Sequence, residues 1–167
     1  MGAATGSIRH HGGPHQGFPH DAANVPTCYL GRMQLVTGAT GIVGSHVLLE
    51  CALHGPVRAL VRHRSDRTIV ERVFHHYRSD AADLLAKIEW ANSDILDVDG
   101  LNTAMHGVRW VYHTAAVVSF APGDAQTMQR VNVTGTANVV NSALAHGVKR
   151  LCHVSSTAAI GVEPDGM

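Results

Sequence analysis

The sequence predicts an α/β domain on a doubly wound parallel sheet that is truncated after about its fifth strand. Three observations predict it. From residue 32 onward, short apolar runs alternate with helical patterns. A glycine-rich turn stands where the first strand meets the first helix. Gly55, Gly107 and Gly147 each follow a helical pattern, where a left-handed cap favours glycine. Strand–helix alternation of this kind builds a parallel sheet with right-handed crossovers.

Taken in order, strands are expected near 33–37 (MQLVT), 57–62 (VRALVR), 88–93 (IEWANS), 109–117 (RWVYHTAAV) and 148–154 (VKRLCHV). Each is a short apolar run bounded by turn formers. Helices are expected near 42–54, 66–86, 98–106 and 124–146. In the last, Val133, Ala137, Val140 and Leu144 follow a 4-3-4 spacing that makes one apolar face. Residues 1–31 differ: they hold six of the 17 glycines and three of the six prolines, with few aliphatics. Such a stretch buries too little apolar surface to offset its ordering entropy, so it reads as a disordered leader before a domain at 32–167. Its histidines His10, His11, His15 and His20 have nothing to fix their geometry, and no metal site is assigned.

Composition narrows the function by exclusion. The 167 residues are 45% hydrophobic and 16% charged, enough for one packed core. Lys+Arg and Asp+Glu are both 13, which leaves no basic excess for a nucleic-acid backbone. No apolar run approaches the roughly 18 residues that a membrane helix needs. The first twenty residues hold no apolar core of the kind a secretory signal has, and Cys28, Cys51 and Cys152 form no C-x-x-C pair. Composition leaves an ordinary soluble cytoplasmic domain as the expectation, and its function, with any small-molecule substrate, must come from local motifs.

The sharpest motif is Thr37-Gly38-Ala39-Thr40-Gly41-Ile42-Val43-Gly44. Gly38 lets the chain turn tightly off the strand. Gly41 lacks a Cβ, so the backbone can approach a diphosphate, and Gly44 lets the helix sit close to the sheet. The helix start offers free N–H groups and a positive dipole end. In this context Gly38, Thr40, Gly41, Ile42, Val43 and Gly44 are expected to bind a dinucleotide. The second strand ends at Arg62 with no acidic residue to hold a ribose 2′-OH. A guanidinium suits a 2′-phosphate, so Arg62 points to NADP, with NAD as the alternative.

The motif TGATGIVG resembles the cofactor turn of the extended short-chain dehydrogenase/reductases, which include NAD-dependent epimerase/dehydratases and dihydroflavonol reductases. The resemblance covers roughly residues 33–161 and implies a Rossmann-type sheet. Further segments match in order. Ser93-Asp94-Ile95-Leu96-Asp97 is similar to an element whose Asp and following backbone face the adenine, which implies that role for Asp94 and Ile95. Asp97 can equally cap the next helix. Tyr112-His113-Thr114-Ala115-Ala116 resembles the segment whose small residues, here Ala115 and Ala116, leave room for the nicotinamide side of the cofactor. His113 reads as a buried structural histidine rather than a base.

Asn132-Val133-Thr134-Gly135-Thr136 matches the N-x-x-G-T helix, whose Asn orders the active-site water and backbone. Ser155-Ser156-Thr157-Ala158-Ala159-Ile160-Gly161 resembles the S-S-x-x-x-x-G segment, which implies Ser156 as the catalytic serine and Thr157 if the register slips by one. The family's proton donor is the Tyr of Y-x-x-x-K. Here Tyr29, Tyr77 and Tyr112 all precede Ser156, and none has a Lys four residues later. The expectation is therefore the N-terminal cofactor part of an NAD(P)-dependent oxidoreductase or epimerase, reducing a ketone or aldehyde in the complete enzyme, with the C-terminal substrate-binding part absent. A non-catalytic dinucleotide-binding module, a redox sensor or scaffold, is the alternative. The resemblance also implies a homodimer that pairs through helix 124–146.

Overall fold

The computed structural model describes residues 32–159; the leader expected over 1–31, and Ile160 and Gly161 of the serine segment, lie outside them. Five parallel strands form one sheet: β1 (Met33–Thr37), β2 (Val57–Val61), β3 (Glu89–Asn92), β4 (Val108–His113) and β5 (Arg150–His153). Their order is β3-β2-β1-β4-β5. The chain steps outward from β1 to β3, then crosses to the other side of β1 for β4 and β5. That reversal opens a crevice at the carboxyl ends of β1 and β4.

β1 is central and covered on both faces, so Gln34, Leu35, Val36 and Thr37 are all buried. Alternate side chains serve opposite layers. Val36 joins Val57, Ala59 and Val61 beneath α1 (Ile42–His54), α2 (Thr68–Tyr77) and α3 (Ala81–Ala86), where Leu48, Val70, Phe74 and Leu84 pack. Leu35 joins Leu60 and Val111 on the other face. There they meet Leu101 and Met105 of the α4 region (Val98–Ala104) and Val139 and Ala143 of α6 (Thr136–Ala145). Arg58 ties the lower rim together: its guanidinium donates to both Glu89 carboxylate oxygens, at 2.8 and 3.0 Å, and to the Ala104 and His106 carbonyls.

Four details depart from the expectations. The helix expected over 66–86 is two helices. Arg78 is extended, and its guanidinium pairs with Asp80 at 2.8 Å. An unbroken 21-residue helix would run about 31 Å at 1.5 Å per residue. That overshoots strands of about 17 Å, so the break lets both Phe74 and Leu84 face the sheet. β4 ends at His113 rather than 117, because the backbone of Val117 bonds to a side chain instead of a strand. Gly107 and Gly147 adopt the left-handed conformation (φ 74° and 67°), whereas Gly55 is extended. Finally, the stripe Val133, Ala137, Val140 and Leu144 lies on the outside. The core contacts of this helix come from Gly135, Val139, Ser142 and Ala143.

The helix expected over 124–146 is continuous but not uniform. α5 (Ala125–Met128) passes into a wider π-type segment, Gln129–Gly135, and then into α6. π-type turns inside helices are rare and occur frequently at functional sites. No described helix is long and apolar enough to cross a membrane.

Candidate dinucleotide cleft

β1 ends at Thr37, and Gly38 turns the chain with φ 69°, a conformation costly for any residue with a Cβ. A Cβ there would also stand 2.6 Å from the Ala115 amide nitrogen. The Gly41 N–H donates to the Gly38 carbonyl at 2.9 Å, closing the turn. Gly41 then heads α1 with no side-chain cap and no acidic residue in the first turn, so the helix presents its amides and positive dipole end. A Cβ on Gly44 would overlap the Gly38 carbonyl oxygen. Thr114 fastens the turn from behind, its N–H and hydroxyl both donating to the Thr37 carbonyl, at 3.2 and 2.7 Å.

A cleft of about 320 Å³ opens above this turn. Gly38, Thr40 and Gly41 form its floor. Arg62 lines the β2 side, its exposed side chain beside Ser65, whose N–H closes a turn on the Arg62 carbonyl at 2.9 Å. Ser93, Asp94 and Ile95 line the wall after β3. Ala115, Ala116 and Val117 line the wall after β4, and Val131 of the π-type segment lines the cleft with them. Eight of the expected cofactor residues thus meet in one crevice. Ile42 and Val43 do not line it: they stand exposed on the first turn of α1, with Gly44 buried beneath.

The two aspartates after β3 divide their work. Asp97 caps α4, accepting from the Gly100 N–H at 3.2 Å. Asp94 faces the cleft, and one of its oxygens accepts from the Leu96 N–H at 2.9 Å. This fixes the carboxylate in a tight turn at the wall.

Asn132 sits within the π-type segment and grips the Val117 backbone from both sides. Its Oδ1 accepts from the Val117 N–H, and its Nδ2 donates to the Val117 carbonyl, both at 2.8 Å. The amide imitates a strand neighbour and so holds a wall of the cleft. Ser156 lies elsewhere, exposed beyond the end of β5, where its carbonyl accepts from Ala159; Thr157 is exposed beside it. Ser156 is not among the residues that line the cleft.

His113 is wholly buried between two threonines. Nδ1 is 2.7 Å from Thr37 Oγ1 and Nε2 is 2.9 Å from Thr136 Oγ1. In the neutral ring one nitrogen donates and the other accepts, which both hydroxyls can match. Its ring stacks on His153 at 5.0 Å. Burial, and secondarily the His153 ring, push its pKa down to about 4. It is therefore a neutral structural bridge near neutral pH.

Sequence reasoning missed Thr114, Thr136 and Asn138, whose polar side chains tie the cleft walls to the rest of the fold. The signal available was the cluster of small polar residues around the Asn132 motif.

A doubly wound sheet with a glycine turn at its switch point defines a Rossmann-type domain. The chain belongs to the extended short-chain dehydrogenase/reductases, and within them to the 3-beta hydroxysteroid dehydrogenase/isomerase family, whose model matches residues 35–166. It is 39% identical over 133 residues to sterol demethylase protein B of Methylococcus capsulatus, covering 79% of this chain and 37% of that protein. It is 34% identical over 138 residues to cinnamoyl-CoA reductase 1 of Oryza sativa, covering 81% and 38%. Among solved structures, the UDP-glucose-4-epimerase of Stenotrophomonas maltophila with bound NAD is 25% identical with a TM-score of 0.62, covering 80% of this chain and 39% of that one. The chain thus spans little more than a third of the length of the curated relatives it matches.

Proposed function

We propose that this chain is the cofactor-binding part of an NAD(P)-dependent oxidoreductase that reduces a ketone or aldehyde, and that its cleft takes NADP in preference to NAD. The observation that carries the reading is the crevice floored by Gly38, Thr40 and Gly41 at the switch point of the sheet. A side chain at Gly38 or Gly44 would collide with neighbouring backbone, so the turn is kept bare against α1. Such a turn suits a diphosphate. Arg62 would hold a 2′-phosphate, Asp94 and Ile95 the adenine, and Ala115 and Ala116 the nicotinamide side. The epimerase neighbour holds NAD in its structure, which supports a dinucleotide here.

When bound, the nicotinamide supplies or accepts a hydride. The chain's own contribution is to bind and orient. Asn132 holds Val117, and with it the wall beside the nicotinamide end. Ser156 would donate a hydrogen bond to the substrate oxygen. The same reading includes a cytoplasmic setting and a homodimer through helix 124–146; exposed Val133, Val140 and Leu144 support the dimer.

Titration with NADPH and NADH tests it. NADPH should bind about tenfold more tightly, the worth of one charge-assisted contact. Gly41→Asp should abolish both, and Arg62→Asp should reverse the preference. An unchanged NADPH/NADH ratio in Arg62→Asp removes the NADP assignment. Carbonyl-dependent oxidation of NADPH by the protein at its natural length, lost in Ser156→Ala with binding retained, separates an enzyme from a non-catalytic dinucleotide binder.

A further inference from the structure

One helical stretch reaches both walls of the cleft. Asn132 holds Val117 on the wall after β4. Six residues on, Asn138 Nδ2 donates to the Ile95 carbonyl at 3.0 Å, on the wall after β3. Ile95 is 6% exposed and lies beyond the end of β3 at Asn92. A buried carbonyl must find a donor, and Asn138 supplies one. The same helix fits the Ile95 side chain. A Cβ at Gly135 would stand 2.5 Å from Ile95 Cδ1 and 2.8 Å from Cγ1, so the bare glycine lets the Ile95 side chain lie against the helix where it stands. Ile95 is thus fixed through its backbone by Asn138 and through its side chain by Gly135. The neighbouring Asp94 carboxylate is fixed in the same turn by the Leu96 N–H.

We infer that Asn138 is a positioning residue for the adenosine half of the cofactor, acting through the Ile95 carbonyl to set where Asp94 and Ile95 stand in the cleft. This rests on the dinucleotide reading above. Asn138 touches no cofactor itself. Without its amide the Ile95 carbonyl loses its donor, the 94–96 turn shifts, and the adenine wall loosens. The Val117 wall keeps its own clamp at Asn132, so the nicotinamide half is unaffected. A general loss of stability would weaken both halves together; the loss of a positioning contact weakens one.

The test is calorimetric titration of the chain with ADP-ribose and, separately, with nicotinamide mononucleotide, for wild type and Asn138→Ala. Asn138→Ala should bind ADP-ribose about tenfold more weakly and nicotinamide mononucleotide as wild type does. Unchanged ADP-ribose affinity, or equal losses for both ligands, overturns the inference and leaves the dinucleotide reading standing. A wild-type chain that binds neither ligand overturns that reading, and the inference with it. Should Asn138→Ala fail to fold, the unmodified chain carries the test by ¹⁵N spectroscopy. ADP-ribose should then shift the Asn138 side-chain amide resonance and nicotinamide mononucleotide leave it in place; a resonance that answers to neither, or to both alike, overturns the inference.

Discussion

The turns that follow β1 and β5 stand on the same edge of the same sheet, yet they are held by different means. After β1, the constraints lie inside the chain: a left-handed Gly38, a Gly44 in contact with the Gly38 carbonyl, and a Thr114 strap. At the end of β5 and beyond it, Cys152, His153, Val154, Ser155 and Ser156 are all exposed. The first turn is specified by backbone geometry, so substitution there should be felt throughout the fold. The second is an exposed polar strand end, whose worth, under the function we propose, lies in what binds it rather than in what it stabilises.

The comparison is broken most forcibly at Gly44. Gly44→Val should cost roughly 4 kcal/mol or more, because a branched side chain is driven into backbone that cannot retreat without moving β1 from α1. Ser156→Ala should change stability by less than about 0.5 kcal/mol. Urea unfolding midpoints of the two variants measure the contrast. Comparable losses would show that the β5 end is as tightly determined as the glycine turn.

His113 joins the two regions, since it bridges Thr37 and Thr136 and stacks on His153. Its folded pKa of about 4 lies below the ordinary histidine value of 6.5. The unfolded chain therefore binds the proton more readily between those values, and stability rises with pH across that window. The stabilisation is fully present above pH 6.5 and is lost as pH falls towards 4, amounting to about 3 kcal/mol at most. Urea midpoints at pH 4, 5, 6 and 7 should climb accordingly. His113→Phe should flatten the climb, and it should cost about 2 kcal/mol at pH 7 because both threonine hydroxyls lose their buried partner. A climb that survives in His113→Phe would assign it to another group.

What the sequence disclosed follows the same division. The glycine turn, the element order and the capping role of Asp97 were legible because each rests on local backbone rules. β1 and α1 were placed to the residue for that reason. The break at Arg78 was not legible: the apolar period runs through it, and only the length of the sheet decides that the helix must stop. The end of β4 is not legible either, because the partner of Val117 is a side chain 15 residues away. The walls of the cleft depend on such long-range polar contacts, from Asn132, Thr136 and Asn138, and no periodicity announces them. The 4-3-4 spacing was real, but periodicity cannot say which apolar face meets the sheet. Small residues decided it, since Gly135 and Ala143 let the helix approach where the stripe of Val133, Val140 and Leu144 could not.

Asn132→Ala sharpens the comparison at intermediate size. It removes both bonds to Val117 and should cost about 2 kcal/mol, while releasing the 114–118 segment. Hydrogen exchange at the Val117 amide should accelerate well beyond that at Ser45, whose N–H is held by Gly41. Equal acceleration at the two sites would mean that Asn132 supports the whole fold rather than one wall.

The smallest effect on stability is expected on the outer helix face, and there it is the most informative. Leu144 is 73% exposed, and it stands with the exposed Val133 and Val140 on the outer face of the helix. Leu144→Glu removes no buried contact within the chain, so its unfolding midpoint should shift by less than about 0.5 kcal/mol. If two copies pair through this face, as we propose, the same substitution places a charge in an apolar interface at both ends of a twofold contact. Sedimentation should then show wild-type dimer and variant monomer at equal concentration and unchanged fold. A wild-type monomer, or a dimer indifferent to Leu144→Glu, would take this helix out of the interface and leave its apolar stripe without the partner assigned to it.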